Sequence, residues 1–425
     1  MKIAMLTNNY KPFVGGVPIS VERLSEGLRK RGHEVWIFAP EYGSDTQTDD
    51  AKENVIRFRS MKRTIGNGMV IPDMFDGHVD QIFREQKFDL IHVHHPMLAG
   101  NMAVNLSRRY EIPLVYTYHT RYEEYLHYLH LFSGTEEMGR IRKHIYGNVQ
   151  SLLQFYMRWF LGKCDLVFVP SRDMAYYVQN LGLTVQVRIL PTGVSDMAYE
   201  KDIKHVKEIR QKYCVGKKHL LCTVSRMEKE KNLYFLLDVV KMLKKRMGND
   251  FRFIMAGGGQ ELETMEAYVK KTGLDEQVVF AGEVETEKVS HYLFASDVFL
   301  FASQSETQGI VLAEAMATGL PVAAVDACGV RDIVQNDVNG YLVEADVDVY
   351  ARRLEQVLAD EEYLQKLRKG ARQTAENYRC NYIALQAEEN YKKLLDLERR
   401  NEIYGYQSYE KECDGTALLH LFKMS

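Results

Sequence analysis

Two glutamates eight positions apart, Glu306 and Glu314, stand out first, in the run Phe301–Pro321. An apolar strand ending near Ser303 leads into a helix from about Gly309 to a Gly319 stop, with Pro321 just beyond. This spacing puts Glu306 in the loop at the helix mouth. Glu314 lies a turn or so inside a helix of small apolar residues, Ala313, Ala315, Met316 and Ala317. A carboxylate in such a setting is costly unless it accepts hydrogen bonds, and the two hydroxyls of a ribose would supply them. Upstream, Ser225–Asn232 follows a strand and carries Arg226 and Lys231. An arginine fork and a lysine point charge suit a pyrophosphate, and a lysine at a helix start opposes the helix dipole unless an anion is bound there. Gly15 and Gly16 open the first helix after the first strand. Glycines at a helix N-terminus let a backbone with free N–H groups approach an anion, although the same pair also makes an ordinary tight turn.

Three other patterns compete. His92-Val93-His94-His95 puts His92 and His94 on one face of a strand, as a metal site would, but no acidic or cysteine partner stands nearby. Histidines at a strand end or cleft edge are the preferred reading. Asp346-Val347-Asp348 precedes a helical run through Tyr350, Leu354, Val357 and Leu358, so a helix cap accounts for it. Segment 139–163 carries Arg140, Arg142, Lys143, Arg158 and Lys163 and no acidic residue. Its apolar residues Ile141, Ile145, Val149, Leu152, Tyr156 and Trp159 recur at helical spacing. That composition fits a helix seeking an anionic membrane surface, or a core-facing helix with a basic solvent side.

The elements that must hold these groups alternate in type. Strands are predicted at Lys2–Thr7, His33–Ala39, Leu90–His94, Pro113–Tyr118 and Asp165–Val169, with helical patterns between them. The plan repeats at His219–Val224, Phe251–Ala256, Val278–Ala281, Val298–Phe301 and Pro321–Val325. Apolar strands separated by helices make doubly wound parallel sheets. The turn Pro191-Thr192-Gly193 sets a boundary near residue 195. The expectation is an α/β protein of two Rossmann-like domains, 1–195 and 196–380, facing each other across a cleft. A helix over 381–400 returns to the first domain, and 401–425 forms a peripheral tail without clear period.

Composition narrows the class. The chain has 425 residues, 46% of them hydrophobic and 27% charged, as globular proteins do. Mean hydropathy is −0.31 and no apolar run approaches the roughly 18 residues of a membrane span. The N-terminus turns polar at once, unlike a signal peptide. The six cysteines stand apart with no C-x-x-C pair, which fits a reducing cytoplasm. A net charge of −3 argues against nucleic acid as a partner.

With Glu306, Glu314, the cation pair and the glycine loop in this order, the chain resembles the retaining GT-B glycosyltransferases of family 4, whose E-x7-E signature matches Ser305–Pro321. Tyr118-His119-Thr120 falls where that family has its histidine. The stretch Tyr116–Tyr125 is similar to that of bacterial 1,2-diacylglycerol 3-α-glucosyltransferases. The resemblance covers about residues 1–400 and implies roles. Gly15 and Gly16 would meet the β-phosphate or the reacting sugar, Arg226 and Lys231 the departing diphosphate, and Glu314 the ribose. Glu306 would bind hydroxyls of the transferred sugar, assisted by backbone N–H groups at Gly309 and Ile310. His119 would sit near the anomeric centre and the 6-hydroxyl, and Glu283 and Val284 would border the base. The family's reaction needs no metal or other cofactor, and the leaving phosphate takes the acceptor proton. The resemblance thus implies a nucleotide-sugar donor, glucose on UDP, and a lipid acceptor, diacylglycerol, at the cytoplasmic face of an anionic membrane. Other acceptors, such as phosphatidylinositol, a polyprenyl-linked intermediate or a small alcohol, remain alternatives. A nucleotide-binding oxidoreductase is the alternative of another class, and the missing G-x-G-x-x-G counts against it.

Overall fold

The hydrogen-bonded ladders of the chain close into two parallel sheets. The computed structural model describes residues 1–13, 15–42, 50–65, 69–73, 76–121 and 140–413. The first sheet contains β1 (Lys2–Leu6), β2 (Glu34–Pro40) and β3 (Val55–Phe58). A small antiparallel hairpin follows, β4 (Ser60–Ile65) with β5 (Met69–Pro72). The sheet then continues with β6 (Leu90–Val93), β7 (Leu114–Thr117), β8 (Leu166–Val169) and β9 (Gln186–Ile189). Its order is β3-β2-β1-β6-β7-β8-β9. The second sheet contains β10 (His219–Val224), β11 (Phe251–Ala256), β12 (Val278–Gly282), β13 (Val298–Phe301), β14 (Val322–Val325) and β15 (Gly340–Val343). Its order is β12-β11-β10-β13-β14-β15. Both orders reverse direction beside their first strand, and at such a switch point a crevice opens beyond the carboxyl ends of the strands.

Helices cover both faces. The first lobe has α1 (Gly16–Lys30), α2 (Gly77–Gln86), α3 (Ala99–Tyr110), α4 (Arg140–Leu161) and α5 (Arg172–Gln179). The second has α6 (Ile203–Tyr213), α7 (Leu233–Met247), α8 (Leu262–Thr272), α9 (Thr286–Ala295), α10 (Ile310–Ala317), α11 (Val347–Ala359) and α12 (Glu361–Glu376). Central strands such as β8 (Leu-Val-Phe-Val) and β13 (Val-Phe-Leu-Phe) are buried along their whole length, which is why they read as unbroken apolar runs. The doubly wound, two-sheet architecture expected from the sequence is therefore present. Five strands escaped the sequence reading, the two of the β4–β5 hairpin and three in the parallel sheets. β3 and β9 are edge strands with polar residues (Arg57; Gln186 and Arg188), and β15 is four residues opening on a glycine. Asp346 caps α11 by accepting from the Asp348 and Val349 amides, as anticipated.

A final helix, α13 (Cys380–Cys413), leaves the second lobe and packs on α1. Its Ile383, Ala384, Ala387, Tyr391 and Leu394 join the first-lobe core with Val21, Leu24 and Leu28. A Cβ on Gly27 would lie 2.7 Å from that of Ala384, so the crossing needs a glycine. The two passages between lobes abut: Val194 N–H donates to the Tyr378 carbonyl at 2.6 Å and Cys380 N–H to the Val194 carbonyl at 3.2 Å. One expectation is corrected here. The segment after residue 400, taken as a tail without period, remains helical to Cys413, because no proline interrupts the i to i−4 ladder there.

Candidate active site

The sequence-predicted groups collect at the carboxyl edges of the two sheets, and local structure explains how each is presented. After β13, the chain turns through Ser303–Gln308 before α10 begins. Gly309 caps that helix at φ 70° and ψ 55°, a left-handed conformation that strains any side-chain residue. No side chain caps the helix, so its first amides, Ile310 among them, remain available as donors. Glu306 lies in the turn, one-fifth exposed, and receives the Lys231 ammonium at 2.7 Å. Lys231 ends a single 3-10 turn before α7. The structure brings this lysine and glutamate together, whereas Arg226 stays outside the pair. Arg226 is largely exposed and reaches Glu230 at 3.1 Å instead. Glu283 follows β12 and packs beside Gly258, with Val284 next in the chain.

Glu314, one turn inside α10, is paired across the lobes. Its Oε1 accepts from Arg23 Nη2 of α1 at 2.7 Å. Sequence reasoning missed Arg23, although a charged residue between Val21 and Leu24, on the face that α1 buries, was the available signal. Arg23 and Glu314 line a cleft cavity of about 360 Å³, together with Met197, Val224, Val289 and Ile310. A larger cavity of about 680 Å³ opens between α2 and α3 and contains none of the groups described here.

On the facing lobe, Gly15 stands at the N-cap of α1 without a side-chain cap. A Cβ on Gly16 would meet nothing within 4 Å among the described residues. His119 follows β7 by two residues and keeps partial exposure. Its Nε2 lies 3.0 Å from Nδ1 of the fully buried His94. Burial first, with the unfavourable interaction of a second positive charge beside His95 and His92, pushes His119 down to about 3, so it is neutral at ordinary pH. His92 is held neutral by burial, also to about 3. Both its ring nitrogens are engaged, with Tyr391 of α13 at 2.8 Å and Thr117 at 2.6 Å. His95 Nδ1 accepts from the Asn8 amide at 3.1 Å. These histidines form a buried polar string: both nitrogens of His92 are engaged and His94 Nδ1 meets His119, while His94 Nε2 is buried without a hydrogen-bond partner among the described residues. Among the described residues, the side chains grouped closely enough to ligate an ion are Asp202, which caps α6, His205 on α6 and His291 on α9.

Three consecutive residues tie the parts into one site. Glu306 binds Lys231 of its own lobe, Thr307 Oγ1 donates to the His119 carbonyl of the other lobe at 2.8 Å, and Gln308 exchanges two hydrogen bonds with the Thr192 backbone of the connecting strap. The loop that carries the carboxylate is thus clamped to the histidine opposite it. Of the predicted basic segment, Gly139 and the side chains of residues 140–148 lie outside the described residues, as does 122–125 of the Tyr116–Tyr125 stretch. In the remainder of α4, Met157, Phe160 and Leu161 face the core. Leu152 (67% exposed), Phe155 (70%) and Trp159 (42%) face outward beside Arg158 and Lys163. No described helix is long and apolar enough to cross a membrane.

Comparisons with known proteins bear on the family and the fold. Residues 14–196 match the family model "Glycosyltransferase Family 4", and residues 205–374 match "Glycosyl transferases group 1". The chain is 28% identical over 368 residues to the alpha-monoglucosyldiacylglycerol synthase of Streptococcus pneumoniae, covering 84% of this chain and 79% of that one. It is 25% identical to the synthase of the same description from Acholeplasma laidlawii, over 93% and 98% of the two chains. Among solved structures, Anabaena HepE in complex with UDP superimposes with a TM-score of 0.71 at 19% identity, covering 92% of this chain and all of that one.

Proposed function

The chain belongs to the family 4 glycosyltransferases of the GT-B fold, and from that premise we propose that it transfers glucose from UDP-glucose to the hydroxyl of diacylglycerol with retention at the anomeric carbon. The observation that carries the donor half of this reading is the cluster at the mouth of α10. There the Lys231 ammonium pairs with the Glu306 carboxylate in the loop that leads into the uncapped start of α10 at Gly309 and Ile310, and Thr307 of the same loop bonds the His119 carbonyl opposite.

Breaking a glycosyl–phosphate bond develops positive charge on the sugar ring and negative charge on the departing diphosphate. Lys231 sits ready to exchange Glu306 for that diphosphate, and Arg226, paired at the surface with Glu230, swings in from that partner. The amides at the starts of α1 and α10 add fixed dipoles. Groups aimed at charge that grows during the reaction lower its barrier preferentially. Glu306, released from Lys231, accepts from hydroxyls of the glucose, and Glu314 from the ribose. Glu283 and Val284 border the base. The neutral imidazole of His119 serves as a hydrogen-bonding partner for the 6-hydroxyl, with no formal charge to oppose the ring's own. On this reading the acceptor hydroxyl attacks from the face the diphosphate leaves. Its proton passes to the departing phosphate oxygen as the new glycosidic bond forms and the old one breaks, and no metal is required.

The acceptor half rests on the two synthases reported above and on the outward stripe Leu152, Phe155 and Trp159 with its flanking cations. Apolar side chains beside basic ones suit the boundary of an anionic leaflet, which supports the reading of a peripheral enzyme at the cytoplasmic face of the membrane. The test is a panel of nucleotide sugars assayed for donor consumption with and without vesicles containing diacylglycerol. UDP-glucose should be consumed fastest, and faster with diacylglycerol than without. Consumption indifferent to diacylglycerol would reject the acceptor, a β-configured product would reject retention, and a covalent sugar adduct on Glu306 would reject direct transfer.

A further inference from the structure

Arg23 is 8% exposed on the inner face of α1, and its guanidinium serves two acceptors. Nη1 donates to the Gly193 carbonyl at 2.9 Å, in the strap between the lobes. Nη2 donates to Glu314 Oε1 at 2.7 Å, in the second lobe. A planar fork anchored at one nitrogen can present the other in one direction only. The carboxylate it meets is therefore fixed in orientation, with Oε2 left to accept from whatever enters the cavity. Nearby, Ser20 on the same helix bonds the Thr192 hydroxyl of the strap at 3.0 Å, so α1 and the strap are joined at two points.

We propose that Arg23 is a positioning residue for ribose recognition: acting through Glu314, it holds the carboxylate so that Oε2 takes the ribose hydroxyls, and its bond to Gly193 links that orientation to the arrangement of the two lobes. The proposal rests on the reading of Glu314 as the ribose ligand. A residue that merely clamps the lobes would weaken every nucleotide alike. A residue that aims Glu314 sets the discrimination between a ribose and a sugar lacking one hydroxyl, because the carboxylate that loses its donor stays desolvated.

The experiment measures dissociation constants for UDP and 2′-deoxy-UDP by calorimetry, with GDP and 2′-deoxy-GDP in parallel so that the base does not decide the outcome. The proteins are the wild type, Arg23→Lys, Arg23→Gln and Glu314→Ala, each verified as folded by thermal melting. The wild type should prefer the ribonucleotide about tenfold or more, the worth of one hydrogen bond to a charged group. Glu314→Ala should erase the preference. Arg23→Gln should reduce it to about threefold or less, and Arg23→Lys should fall between, since an ammonium cannot span both acceptors. If both Arg23 variants bind the two sugars with the wild-type ratio while Glu314→Ala erases it, the proposal fails and the ribose reading survives. If Glu314→Ala also keeps the ratio, both fail.

Discussion

Lowering the pH from 7 to 5 should destabilise the first lobe, and the structure gives the size of the effect at its most deeply buried histidine. His92 is fully buried beneath Tyr391 of α13, against Thr117 and the rings of His94 and Phe168. None of these neighbours is an acid that would favour an imidazolium. Burial keeps His92 neutral down to about 3, whereas a histidine of the unfolded chain titrates near 6.5. Between those values the unfolded chain binds a proton that the folded lobe refuses. The stability is therefore complete above about pH 6.5 and is lost as the pH falls. The slope is about 1.4 kcal/mol per pH unit for each such histidine, so at pH 5 His92 alone costs about 2 kcal/mol. His94, His95 and His119 are depressed for the same first reason, burial, with neighbouring histidines adding repulsion at His94 and His119. Each of these adds to the loss in the same direction as His92. Both tryptophans, Trp36 and Trp159, lie in the first lobe, so urea titrations followed by tryptophan fluorescence report on it alone. His92→Gln, which can still bond Tyr391 and Thr117 without titrating, should start less stable at pH 7 and lose about 2 kcal/mol less than wild type on going to pH 5. A wild-type stability flat between pH 7 and 5, or a variant that declines as steeply as wild type, would refute the reasoning.

Other consequences are direct. Glu306→Ala and Arg226→Ala should each lower turnover by about 10²–10³ while the melting temperature stays near wild type, the effect of removing one charge-stabilising contact from a transition state. Thr307→Val, which deletes the hydrogen bond to the His119 carbonyl, should lower kcat/KM about fivefold, corresponding to about 1 kcal/mol. Replacing Leu152, Phe155 and Trp159 together by serine should reduce flotation with anionic vesicles at least tenfold, since each surrenders exposed apolar area that a membrane would bury. Donor hydrolysis in the absence of vesicles should not change.

Much of this protein is legible from local pattern. Buried parallel strands are apolar throughout and helices repeat near 3.6 residues, so the alternation of elements shows the fold class without knowledge of any contact. The loop-and-helix placing of Glu306 and Glu314 is equally local, because the strand end, Gly309 and the Gly319 stop all lie within twenty residues of one another. Edge strands β3 and β9 were invisible for the converse reason: one side of each meets solvent, and polar residues there erase the signal.

Which charges meet is another matter. Arg226 and Lys231 lie five positions apart and looked equivalent, yet one reaches Glu230 and the other Glu306. Arg23 and Glu314 are separated by 291 positions, and His92 and Tyr391 by 299. Residue type and spacing determined that this chain would build two nucleotide-binding-type sheets and offer anion-binding groups at their edges. Only the packed lobes decided which side chain each group faces, because ion pairs and buried hydrogen bonds depend on distances of about 3 Å set by the strap, α1 and the returning α13, and no periodicity along the chain encodes those distances.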